Sequence, residues 1–168
     1  LLAGGTISNF TSTGIDDNAT STAITIDASE NVLVGKTAIG VGTVGVEMRN
    51  DGLFAATRSN SNAGVFRRTG SDGDIVTFQK DSTTVGSIRS RSGLVTTLVF
   101  DPRSSGVGVS GTTNALVPTD ENGSTVDNAK DIGKAGTRWK DLHLSGNVVV
   151  ASGKGIDFSA TSDGSGTM

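Results

Sequence analysis

The sequence predicts an all-β chain of short strands, hairpins and turns with little or no helix. Three observations carry this. Valine leads the large apolar residues, 17 against nine Leu, nine Ile and six Phe, and branching at Cβ suits a pleated strand better than a helix. Gly, Ser and Thr together make up roughly two residues in five, a mix that supplies tight turns and starves helices. Apolar residues alternate with polar ones in short runs, and each run is closed by Asn, Asp or Gly.

Taken in order, "AITIDASENVLVGKT" alternates Ile24 and Ile26 with Thr25, passes through turn formers at 27–31, and resumes with Val32 and Val34, which reads as a hairpin. "VGVEMRNDGLFAATR" repeats the device around Asn50-Asp51-Gly52. Three strand candidates follow at 65–68, 75–80 and 84–88, a meander, and another at 94–100 stops at Asp101-Pro102 because proline cannot donate to a central ladder. From Ser104 to Thr113 the chain is almost all small residues and valine, and a polar, turn-rich run follows, which places a module boundary near Val117. The organisation expected is therefore a hairpin segment over 1–40, a meander module over 41–116 and a third β module over 117–168. The window 126–140 has some helix-forming composition, but Gly133 and Gly136 limit it to at most one short turn.

Composition removes several functions. A net charge of -3 and a pI near 5.0 argue against a sequence-independent nucleic-acid binder, which needs a basic face to neutralise phosphates. Arg67-Arg68 and Arg89 with Arg91 read as solvated strand edges. Without cysteine there is no disulfide framework, thiolate nucleophile or cysteine zinc site. No apolar run approaches the roughly 18 residues of a membrane helix, so membrane insertion is not expected. The chain opens on Leu1-Leu2 rather than Met, as a fragment or processed product would.

The motifs that invite chemistry fail on context. "GVGTVG" (Gly40, Gly42, Gly45) and "GVGVSG" (Gly106, Gly108, Gly111) match the dinucleotide fingerprint, but the first runs into a strand and a turn, and no acid stands at the required spacing. "VLVGKT" imitates the end of a phosphate-binding loop, yet position 30, where its first glycine belongs, is Glu30. Asp16-Asp17-Asn18 and Asp72-Gly73-Asp74 do not continue into the ligands of a calcium cage. No cofactor is implied.

"GTRWKDLHLSGNVVV" holds the sole Trp and the sole His. Read as a strand, it sets Leu142 and Leu144 on one face and Trp139, Asp141 and His143 on the other. His143 then belongs to a polar face and not to a catalytic triad, which would also need a strained serine elbow. No catalytic residue is expected. An alternative use of His143 exists only in an oligomer, where three imidazoles on a three-fold axis would suit a transition metal. The expected structural core is Ile24, Ile26, Val32, Val34, Ile75, Phe78, Trp139, Leu142 and Leu144. With 4% aromatic residues each short strand buries little alone, and an obligate oligomer follows.

At "SDGDIVTFQKDSTTVGSI" and "IGKAGTRWKDLHLSGNVVV" the sequence resembles bacteriophage tail-fibre proteins, and "GIDDNATSTAITIDASENVLVGKT" is similar to hairpin segments found ahead of them. His143 stands where the second motif usually has tyrosine. The resemblance implies an elongated, intertwined homotrimer in the tail fibre of a virion, upstream of a self-cleaving C-terminal chaperone that is not present after Met168. It implies a structural, non-enzymatic role in host attachment, with other virion tail proteins and a host cell-surface receptor, glycan or protein, as partners. The alternatives are a passive bacterial surface adhesin and a glycan-degrading tailspike, the latter disfavoured by one Trp and no Tyr to line a sugar groove. On this reading Trp139 is an anchor, and Trp139→Ala is expected to lower oligomer yield or the melting temperature, by a few kcal/mol if the ring is buried; unchanged mass and melting curves would remove that role.

Overall fold

A computed structural model describes residues 19–156. The described chain is all-β, with no helix, in two antiparallel sheets whose strands are neighbours in the order of the sequence. Two compact units divide it, 1–76 and 77–168.

The first sheet runs β1 (Ile24–Ile26), β2 (Val32–Val34), β3 (Gly45–Met48) and β4 (Phe54–Thr57). Both hairpins expected from the alternation are present. The β1–β2 turn is fixed by Asp27: its backbone pairs with Asn31, its Oδ1 accepts the Ser29 and Asn31 amides, and Glu30 takes the left-handed conformation at φ 64°. The β3–β4 turn closes with the Arg49 amide donating to the Leu53 carbonyl, and Gly52 supplies the left-handed position at φ 91°.

The register of these ladders sorts every side chain. Ile24, Val34, Val46 and Ala56 stand in one cross-strand row, and Ile26, Val32, Met48 and Phe54 in another. Because side chains alternate along a strand, these rows share one face and the intervening row of Thr25, Leu33, Glu47 and Ala55 takes the other. The loop over 35–44 crosses the Leu33–Glu47 face, with the Gly40 amide on Glu47 and the Thr57 hydroxyl on the Val41 carbonyl. Leu33 is fully buried there.

The second sheet runs β5 (Gly73–Lys80), β6 (Thr83–Arg91), β7 (Val95–Val99), β8 (Gly108–Gly111) and β9 (Leu116–Thr119). Asp81 and Ser82, both left-handed, make the two-residue β5–β6 turn. The registers place Ser87, Val99, Gly108 and Thr119 in one row and Arg89, Thr97, Ser110 and Val117 in the next, both on one face, while Ile88, Leu98, Val109 and Pro118 line the other. After β9 the chain turns at Asp120, whose Oδ1 accepts the Asn122 and Ser124 amides as Asp27 does in the first unit. This brings Gly123 against Arg89 and Thr97 and closes the polar face.

Several details differ from expectation. Residues 65–68 form no strand, because Arg68 folds back so that its guanidinium donates to the Ser71 carbonyl and lies over Gly73. The boundary expected near Val117 falls inside β9, where Val117 pairs with Ser110 across the β8–β9 ladder, and the limit at 40 lies in the loop between two strands of one sheet. The strand expected at 138–145 is absent from the single chain, which offers it no ladder partner. The window 126–140 holds no helical turn; it includes a tight reversal in which Lys134 and Thr137 exchange two backbone hydrogen bonds, with Gly133 before it and Gly136 within it at positive φ.

Close backbone approach sets the second sheet. A Cβ on Gly108 would overlap the Leu98 carbonyl oxygen and the Thr119 hydroxyl, backbone and side chain of the two flanking strands. Gly108→Ala is expected to destabilise the second unit by about 2 kcal/mol, the cost of overpacking a closed site, while Gly111→Ala, which meets open space, changes little; equal denaturation midpoints for the two variants would refute the close packing.

Candidate functional site

The covered faces of the two sheets hold most of the buried polar side chains, and the two cross-strand rows on the open face of the first sheet are wholly apolar. Among the described residues only Leu33 and Val99 are buried hydrophobic side chains, whereas Asn31, Lys36, Glu47, Ser87, Thr97, Ser110 and Thr119 are buried polar ones. In an ordinary domain that proportion is reversed.

The first covered face is organised by Glu47. Its Oε2 accepts from Lys36 Nζ at 3.2 Å and from the Gly40 amide at 2.9 Å, and its Oε1 accepts from Arg49 Nη2 at 2.9 Å. Lys36 Nζ also donates to the Gly40 carbonyl at 2.7 Å. Both ends of the Lys36–Glu47 pair are removed from water, so the ion pair and its amide donor tie the 35–44 loop to β3. The Gly40 amide, followed by Arg49 and Lys36, holds the Glu47 carboxyl below its ordinary value against the opposing effect of burial. Lys36 is thus the cation of a structural pair, and the phosphate-loop resemblance of 35–37 has no phosphate cradle behind it. Gly45, the third glycine of the first fingerprint, lies where a Cβ would strike the Val34 carbonyl and the Lys36 stem, which explains it without a nucleotide.

The second covered face carries a hydroxyl network. Thr97 Oγ1 donates to Ser110 Oγ at 2.7 Å, Arg91 Nε donates to the same Oγ at 3.0 Å, and Arg91 Nη2 donates to the Gly111 carbonyl at 2.8 Å. Serine, threonine and arginine here satisfy one another; no nucleophile is paired with a base. Asp101, lowered to about 2 by hydrogen bonds from Arg103, is a local ion pair on an exposed turn.

The nine expected core residues lie at three separate places along the chain. Ile24, Ile26, Val32 and Val34 share the apolar face of the first sheet, where Ile26 is 72% exposed and Val32 half-buried. Ile75 is half-buried, and Phe78 borders an apolar groove of about 420 Å³ with Val85, Ile88, Leu98 and Phe100. Trp139 is 74% exposed beside the Lys134–Thr137 reversal, its ring edge against Gly133. Leu142 and Leu144 are exposed too, as is His143. Within one chain, no group of three or more His, Cys, Asp or Glu among the described residues forms a metal site, and no described helix is long and apolar enough to cross a membrane. Asp16-Asp17 lies outside the described residues. Sequence reasoning missed Lys36 and Glu47; the available signal was a lone acid at the centre of "VGVEM" and a lone base in "VGKT", opposite charges in otherwise uncharged strand runs.

Comparison of the chain with protein-family models, curated proteins and solved structures yields no significant match in any of the three.

Since Glu47 is depressed in the folded state, its contribution to stability is complete above the unfolded carboxylate value near 4.5 and is lost as pH falls below it through the folded value. Thermal melts between pH 7 and pH 3 are expected to show a falling midpoint below pH 4.5 that is smaller in Glu47→Gln, which is already destabilised at pH 7; parallel pH profiles would refute the role of the carboxylate.

Proposed function

We propose that this chain is a structural segment of a bacteriophage tail fibre, a non-enzymatic homotrimer on the virion that contributes to host attachment. The observation that carries the reading is the reversed polarity of the two sheets. Each unit uses its own loops to cover the face that holds its buried polar groups, and the first sheet leaves an apolar face in water, an arrangement that costs stability until another surface covers it. Fibre segments made of several copies of one chain solve this by turning such faces towards each other. The fibre-like segments at 71–88 and 132–150 support the same reading, and a receptor, glycan or protein, and other tail proteins are its partners.

Trp139 fits this picture as an inter-chain anchor. Its ring lies beside Gly133 and borders two open grooves, also lined by Lys134 and Arg138, that another chain would fill. Its indole N–H would then need an acceptor from that chain.

Light scattering of the 168-residue chain tests the proposal. A mass three times 16.9 kDa that survives detergent until strong heating is the expected result. A reversible monomer would overturn it.

A further inference from the structure

We infer that the apolar face of the four-stranded sheet, bearing Ile24, Ile26, Val34, Met48 and Phe54, is the surface on which a second copy of this chain seats. The inference rests on the homotrimer reading and adds to it which face is turned inward. Five large apolar side chains stand in adjacent cross-strand rows there, each more than a third exposed. Together they present on the order of 600 Å² of apolar surface, against the roughly 800 Å² that each partner gives to a standard stable interface.

The 35–44 loop is not available to cover this face. The 35–44 segment is committed to the opposite face by the Lys36–Glu47 pair, the Gly40 amide and the Thr57 hydroxyl. Charge then selects the occupant. All eight residues of the two rows are uncharged and apolar, and Glu47 and Arg49 project from the other side of the same strand run. An identical face therefore meets no like charge when it approaches, whereas a foreign partner would find no polar group by which to be distinguished. Side chains that neither donate nor accept hydrogen bonds suit contact with their own copies.

The absence of cysteine makes a direct test possible. Val34→Cys and Met48→Cys place single thiols on the face, and Ser29→Cys places one on the exposed β1–β2 turn. With the mass of each variant measured alongside, maleimide labelling at 34 and 48 is expected to be at least 100-fold slower than at 29 in the oligomer and equal to it in urea. Hydroxyl-radical footprinting of the unsubstituted chain gives the same comparison without mutation, Phe54 against the exposed Phe66, and decides the matter if the variants fail to fold. An oligomer in which 34, 48 and Phe54 react as fast as the controls would overturn the inference while leaving the oligomer reading intact. A monomer with a fast-reacting face would overturn both and leave the face to a different partner, and a monomer with a protected face would show that the chain covers it alone.

Discussion

A β-strand sends alternate side chains to opposite faces, so a sheet made of short strands has two surfaces to account for and few residues with which to do it. In this chain the loops are just long enough to close one face of each sheet. The closed face is held by specific polar contacts: Glu47 with Lys36 and the Gly40 amide in the first unit, Thr97 with Ser110 and Arg91 in the second. Everything else about the molecule, including where its valines and isoleucines end up, depends on which face the loops take.

Why the loops take the polar face follows from the cost of the alternative. A carboxylate or hydroxyl left against a partner without hydrogen bonds costs more than an apolar side chain left in water, since the former loses its solvation outright. Local loops can supply amides at short range, as Gly40 does for Glu47, and so Glu47 is settled within the chain, although the Thr25 and Thr119 hydroxyls and Arg49 Nε are buried without a partner. Replacing the Lys36–Glu47 pair by apolar residues of similar size need not weaken the fold, because buried pairs regain little beyond their desolvation. What the pair supplies is uniqueness: it fixes the loop on one side of β3 and so fixes which side remains open.

The hairpins were legible from residues 24–34 and 45–57 because alternation and turn chemistry act over a few positions. Grouping Ile24, Ile26, Val32 and Val34 on one face was legible for the same reason. Whether that face is inside or outside a single chain was not, because alternation is symmetric between the two faces and only the loop contacts break the tie. Arg68 defeated the strand expected at 65–68 through a contact with the turn at 71–74 that propensity does not encode. β8 was hidden by its small residues and β9 by Pro118: Gly108 is there to admit the Leu98 carbonyl, a requirement of neighbouring strands that reads in sequence as a linker.

Both sheets pair only strands that follow one another in the chain. Each ladder therefore closes a short loop, and contacts of small sequence separation form quickly. Nascent chains with this topology can complete their hairpins while synthesis continues, before any other copy is near. In the homotrimer proposed above, assembly would be an encounter between finished sheets, and its rate would rise with chain concentration. Until such an encounter the open apolar face and the edge strands would be exposed to every other chain present, and fidelity would rest on how quickly identical chains found each other.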